Sequence, residues 1–286
     1  VRLHGHWRRH PLGAKAIVVL VHGFSASSAD KSICALAEAL YQDDLDVLTY
    51  DARGHGRSGG ICTVGASEHL DVAGAVTLAA AEAARQVPGS PRASAGLPAF
   101  AAPSLERPVV LLGVSMGAVA VARYLAADEE SRRRGVTGKD DVVQGAWGVT
   151  GAVLVSAPAR WRMRPSPLGI FSALLTKSLP GRWAARRWLG VRVARRWETG
   201  ETVESVLPAV RCPVAIVHGG RDRLLGMAHA ERLEAAAGGP CRLVRVAHMG
   251  HGIGGAGKEA ARLAVAWVLA EASAPENLPP VELVPR

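Results

Sequence analysis

Leu111-Leu112-Gly113-Val114-Ser115-Met116-Gly117 is the stretch on which the fold turns. An apolar run, Pro108 to Leu112, enters Gly-x-Ser-x-Gly, and an alanine-rich helical pattern, Ala118 to Ala127, leaves it. Strand, sharp turn and helix in immediate succession put a serine at the apex. The turn demands small neighbours, because the serine backbone is held in a strained conformation that flanking side chains would obstruct. Ser115 Oγ then stands clear of the sheet edge. The helix N-terminus behind it aims backbone N–H groups at any anion that develops there. The same pentapeptide also suits a glycine-rich strand–helix turn with an incidental serine, so its surroundings decide.

Outward from that turn, strands and helices alternate. Ala16 to Val21 is a continuous aliphatic run, the mark of a strand buried on both faces of a parallel sheet. It empties into His22-Gly23-Phe24. A helix over Lys31 to Tyr41 carries Ile33, Leu36 and Leu40 on one face, with Ser27, Ser28 or Asp30 as its cap. Leu45 to Tyr50 is the next strand and ends in Asp51-Ala52-Arg53-Gly54-His55-Gly56-Arg57-Ser58. A helix over Ala66 to Arg85 follows.

Beyond the Ser115 unit come a strand over Val149 to Ser156 and a helical stretch from Ala159 to about Pro208. A strand over Cys212 to Val217 leads into His218-Gly219-Gly220-Arg221-Asp222. A helix over Ala228 to Ala237 precedes the strand Arg242 to Val246, which runs out into Ala247-His248-Met249-Gly250-His251-Gly252. The helix Lys258 to Ala272 closes the core, and a short β-like stretch, Arg2 to Arg9, opens the chain. Pro88 to Pro108 reads as an exposed, mobile loop insertion and Asp128 to Gly145 as a charged loop or helix extension.

This order predicts an α/β fold, a mostly parallel sheet with helices on both faces. Right-handed crossovers bring every strand's carboxyl end to one edge, where ligands bind. The expected organisation is a core in two parts, 1–158 and 208–273, a short helical cap or lid inserted at 159–207, and a flexible tail at 274–286.

Composition bounds the function classes. Hydrophobic content of 49% and charged content of 21% over 286 residues suit a large packed core. No stretch reaches the roughly 18 apolar residues of a membrane span. The opening residues hold no apolar signal core, although the missing initiator methionine leaves a removed leader open. The cysteines Cys34, Cys62, Cys212 and Cys241 are scattered without metal spacing, so free thiols of a reducing cytosol are expected. Abundant Ala, Arg, Gly and Val fit a GC-rich bacterial genome. The net charge of +9 is concentrated in one internal segment, not in a tail or an aromatic-interleaved strand, so nucleic acid is not an expected partner.

Ser115, Asp222 and His251 each fall just past a strand end, in the chain order serine, acid, histidine. A serine hydroxyl is a weak nucleophile near neutral pH and needs an adjacent base. Imidazole can take a proton and return it, and a buried carboxylate fixes its tautomer. The oxyanion needs preorganised donors, here the backbone N–H groups of Phe24 and Met116. Asp222 competes with a plain turn role in Gly-Gly-Arg-Asp. His248 competes with His251, whose flanking glycines let the loop fold its ring inward. His22, His55 and Asp51 are expected to shape loops. No histidine pair has metal spacing, and neither metal nor cofactor is expected.

The motifs at His22-Gly23-Phe24, Asp51 to Ser58, Gly113 to Gly117, Asp222 and Gly250-His251 together resemble the α/β-hydrolase superfamily over about residues 15–270. The nearest look is to its serine-aminopeptidase-like or monoacylglycerol-lipase-like branch. The resemblance implies a Ser-His-Asp hydrolase acting on a carboxylic ester or thioester. It also implies a lid made by the 159–207 insert, which here is short, arginine-rich and tryptophan-rich. Trp161, Phe171, Leu174 and Trp183 are the candidate walls of a pocket for a small acyl substrate, apolar or anionic. Pro180-Gly181 is expected to stop the helix that carries Phe171 and Leu174. The fold also hosts acyl transfer, C–C cleavage, elimination and non-catalytic binding, and it does not name a substrate or an oligomeric state. A cytoplasmic protein without stable membrane insertion is expected.

Overall fold

The computed structural model describes residues 1–11, 13–85, 107–134, 149–161, 167–196 and 200–273. Most of the two expected loop insertions, and the 274–286 tail, lie outside these residues. Among the described residues the strands form one seven-stranded sheet. They are β1 (Gly5–Arg8), β2 (Ala16–Val21), β3 (Leu45–Tyr50), β4 (Val109–Val114), β5 (Val149–Val155), β6 (Val214–Gly219) and β7 (Cys241–Val246). The order across the sheet is β1-β3-β2-β4-β5-β6-β7. Only β1 is antiparallel; it pairs with β3 at the edge.

The central strands are apolar without interruption because both faces are covered. Val18, Leu20, Val110 and Leu112 point into a layer formed with α1 (Lys31–Tyr41) and α8 (Ala256–Ser273). Ile17, Val19, Val109 and Leu111 point the other way, into α2 (His69–Arg85) and α3 (Met116–Arg133). Each of these fully buried aliphatic side chains contributes about 1.5–3 kcal/mol. The register holds the strand ends level: Val21 lies opposite Tyr50 and Gly113, Val114 opposite Val155, and Gly219 opposite Val246. The loops after β2, β4, β6 and β7 therefore open on one edge.

Local chemistry moves some boundaries from the sequence expectation. The helix expected from Ala66 begins at His69, because the buried Glu68 carboxylate accepts the N–H groups of Thr63 and Gly65 at 2.6 and 2.7 Å and holds a turn there. The charged segment after Ala127 continues α3 to Arg133, with Asp128–Arg132 and Glu129–Arg133 paired one turn apart. Asp30 takes the N-cap position of α1, but its carboxylate accepts from Ser27 Oγ at 2.8 Å and caps nothing.

Between β5 and β6 the chain leaves the sheet edge and forms a helical hairpin, α4 (Pro167–Lys177) and α5 (Leu179–Trp188). Pro180-Gly181, expected only to stop a helix, lies in the first turn of α5: Ser178 Oγ accepts the Gly181 N–H at 2.9 Å and donates to the Leu174 carbonyl at 2.8 Å. The hairpin returns along residues 191–194. Arg192 N–H donates to Gly54, and Cys62 N–H donates to Arg192, at 2.8 and 2.7 Å. The Arg192 guanidinium also donates to the Ser58 and Gly60 carbonyls. By α6 (Val203–Val206) the chain is back in the core, where Val203, Val206 and Leu207 pack in the same cluster as α3. A short α7 (Ala228–Ala236) then leads to β7. Among the described residues, no helix is long and apolar enough to cross a membrane.

Candidate active site

The turn between β4 and α3 holds Ser115 at φ 53° and ψ −111°, a conformation uncommon for an L-residue. Two glycines make this possible by close approach. A Cβ on Gly113 would stand 2.5 Å from the Gly117 carbonyl oxygen and 2.6 Å from Ala118 Cα. A Cβ on Gly117 would strike the carbonyls of Val21 and His22. The Ser115 N–H is tied to the Val155 carbonyl at 2.8 Å. The sequence expectation that the neighbours must be small thus has a specific cause: one glycine packs on the helix start, the other on the end of β2.

Ser115 Oγ lies 2.9 Å from His251 Nε2, and His251 Nδ1 lies 2.8 Å from Asp222 Oδ2. The structure brings together Ser115, Asp222 and His251 and leaves His248 exposed on the loop. Asp222 has its side chain fully buried, and that of His251 is 22% exposed. Asp222 Oδ1 accepts the N–H groups of Leu224 and Leu225 at 2.9 and 2.8 Å, so only Oδ2 is left for the imidazole. Burial works to raise the Asp222 pKa. The His251 hydrogen bond and charge and the two amides outweigh it and hold the carboxyl below its ordinary range. Asp222 is therefore an anion throughout the neutral range, and an Nδ1–H on His251 donates to it. In the neutral imidazole this tautomer leaves Nε2 bare, facing the serine hydroxyl.

The loop after β2 runs alongside. A Cβ built on Gly23 would stand 3.3 Å from Ser115 Cβ, so the loop that leads into Phe24 passes beside the serine at Gly23. His22 fixes this loop. Its Nε2 accepts the Ala52 N–H at 2.9 Å, which leaves Nδ1–H to donate to the Gly23 carbonyl at 2.8 Å. His55 meets His22 and Phe24 edge-on at 5.0 and 6.0 Å. Asp51 closes the adjoining turn by accepting from Ser28 and from the Arg57 N–H. All three hold these loops in shape, His22 and Asp51 by hydrogen bonds and His55 by ring contacts.

Burial holds His22 below the usual imidazole value, and burial together with the neighbouring His22 pushes His55 down to about 4. An unfolded chain takes up these protons near 6.5. Between those values the unfolded state binds protons that the fold refuses, so stability falls as pH falls through this window. For His55 alone the loss is about 3 kcal/mol. Urea unfolding of the wild type is expected to show this drop between about pH 7 and about pH 4.5, and a His55→Gln variant is expected to lose less over the same interval. An equal drop in both would remove His55 as a source.

One positioning contact was not legible in the sequence. Ser156, at the carboxyl end of β5, is buried, has φ 48°, and accepts the Gly252 N–H at 3.1 Å next to His251. The available signal was a second small polar residue directly after a buried strand. Of the four candidate pocket walls, Trp161 is half-buried and faces Gly65 and Val119, one turn into α3. Phe171, Leu174 and Trp183 stand more than half exposed on the hairpin. Among the described residues no cluster of His, Cys, Asp or Glu has the makings of a metal site.

Residues 18–265 match a family model described as the alpha/beta hydrolase family. A comparison with curated proteins found no match. Among solved structures, the chain resembles Est1E from Butyrivibrio proteoclasticus with ferulic acid bound (TM-score 0.56, 17% identity, covering 94% of this chain and 96% of that one). It also resembles a monoacylglycerol lipase of Paleococcus ferrophilus (TM-score 0.56, 19% identity, 94% and 99% covered). A third likeness is to an enol-lactonase from Burkholderia xenovorans LB400 (TM-score 0.58, 18% identity, 94% and 96% covered). At these identities the likeness is one of fold.

Proposed function

This chain belongs to the alpha/beta hydrolase family, and from that premise we propose that it is a serine hydrolase that cleaves a carboxylic ester through an acyl-enzyme. The observation that carries the proposal is the unbroken chain Ser115 Oγ–His251 Nε2, His251 Nδ1–Asp222 Oδ2 at the carboxyl edge of the sheet. As Ser115 Oγ attacks the ester carbonyl carbon, its proton passes to His251 Nε2. Asp222 stabilises the imidazolium and keeps the ring oriented. The backbone N–H groups of Phe24 and Met116 hold the oxyanion; each such donor contributes about 3–4 kcal/mol to the transition state. His251 then protonates the leaving alcohol. In the second half it takes a proton from water, whose oxygen attacks the acyl carbon; the acyl–Oγ bond then breaks, His251 returns the proton to Ser115 Oγ, and the acid is released.

Fold neighbours named as an esterase, a monoacylglycerol lipase and an enol-lactonase share an ester-type bond, which supports the choice of ester over amide. Residues 159–207 are proposed as the cap that selects the acyl group, with Trp161 the wall that packs nearest the start of α3. The free cysteines fit a reducing compartment. A series of p-nitrophenyl esters of increasing chain length tests the reading. Turnover with an optimum in chain length, and water outcompeting added alcohol for the acyl-enzyme, are expected. Acyl transfer to alcohol as the main product would replace the hydrolase reading with a transferase one. No turnover of any ester or thioester would sink both.

A further inference from the structure

The α4–α5 hairpin turns its apolar residues outward. Ile170, Phe171 and Leu174 share one side of α4 and are 60%, 56% and 55% exposed. Leu179, Trp183 and Trp188 of α5 are 69%, 62% and 71% exposed, and the two indoles meet edge-on at 5.9 Å. The inner side is taken by Leu175, Thr176 and Ala185, all buried. Single exposed apolar residues are ordinary, but six on one helical hairpin, two of them tryptophans in contact, mark a docking surface.

The charge on the same unit says what docks. Lys177, Arg186 and Arg187 are exposed, and residues 167–188 contain no aspartate or glutamate. Arg186 and Arg187 continue the stripe of Leu179 and Trp183, two turns on. A second copy of this face would bring cations against cations. The 274–286 segment offers only Glu276 and Glu282 against Arg286, too little charge to match. An acidic protein would satisfy the arginines but would also need an apolar groove shaped to side chains that spread over two helices. A bilayer with anionic head groups provides both, phosphates for the arginines and an acyl boundary for tryptophan and leucine.

We infer that the α4–α5 hairpin docks reversibly on anionic phospholipid surfaces. Trp183 and Trp188 sit at the head-group boundary, and Arg186 and Arg187 lie on the phosphates. The contact is peripheral and stands independently of the chemistry at Ser115.

Co-sedimentation of the full chain with vesicles tests it. Binding to mixed phosphatidylglycerol–phosphatidylcholine vesicles is expected, with about tenfold or greater weakening on pure phosphatidylcholine and in about 0.5 M salt. The Arg186→Glu/Arg187→Glu double variant is expected to weaken it by a similar factor, and Trp188→Ala to weaken it at low salt, both with unchanged thermal midpoints. No binding to the anionic vesicles, equal binding to neutral ones, or full binding by the charge-reversed variant would each overturn the inference. So would a doubling of mass in solution that Trp188→Ala abolishes, which would make the face a contact between copies.

Discussion

Replacing Ser115 with alanine is expected to lower kcat on any ester substrate by roughly 10⁵–10⁶ and to leave the fold intact. The variant keeps the Cβ and therefore the same backbone geometry between Gly113 and Gly117. What it loses is the hydroxyl 2.9 Å from His251 Nε2. The remaining activity would come from the oxyanion donors and from binding, which act without a nucleophile. Thermal unfolding checks the fold, and a coupled loss of midpoint and activity would point to misfolding instead of lost chemistry. Activity within about tenfold of wild type would remove Ser115 from the reaction.

Asp222→Asn is expected to cost about 10⁴ in kcat, or ~5.5 kcal/mol, for a reason specific to this loop. The N–H groups of Leu224 and Leu225 both require an acceptor at Oδ1. An asparagine must therefore keep its carbonyl oxygen there and turn its NH2 toward His251 Nδ1. Nδ1 then has to accept, the ring proton moves to Nε2, and Nε2–H faces Ser115 with no lone pair to take its proton. The KM should change little, since Asp222 is buried behind the imidazole. A loss of less than tenfold would mean that another group orients His251.

The sheet was legible because its central strands are buried on both faces, which leaves runs such as Ala16–Val21 and Val109–Val114 with hardly a polar residue. The three candidate residues were legible from their place: Ser115 and Asp222 closely follow buried apolar strands, whereas His251 follows β7, a strand that carries Arg242 and Arg245, and stands out by its flanking glycines. The choice of His251 over His248 rests on which ring the loop turns inward. Sequence offers only flanking glycines for that choice, whereas the structure offers a hydrogen bond on each ring nitrogen. In the sequence Ser156 shows only as the last residue of an apolar strand. Its role depends on a register across β5, β6 and the loop after β7. The hairpin was the least legible part. The spacing of Ile170, Phe171 and Leu174 reveals an apolar stripe but not whether the stripe faces a core, a pocket or the outside. Here it is exposed.

The central claim is that Ser115 is a nucleophile activated by His251. Treating the folded protein with a fluorophosphonate and mapping the adduct by peptide mass spectrometry tests it most directly. A single adduct on Ser115 is expected, abolished in Ser115→Ala and strongly slowed in Asp222→Asn. An adduct on another residue, or an unmodified Ser115 in folded protein, would contradict it.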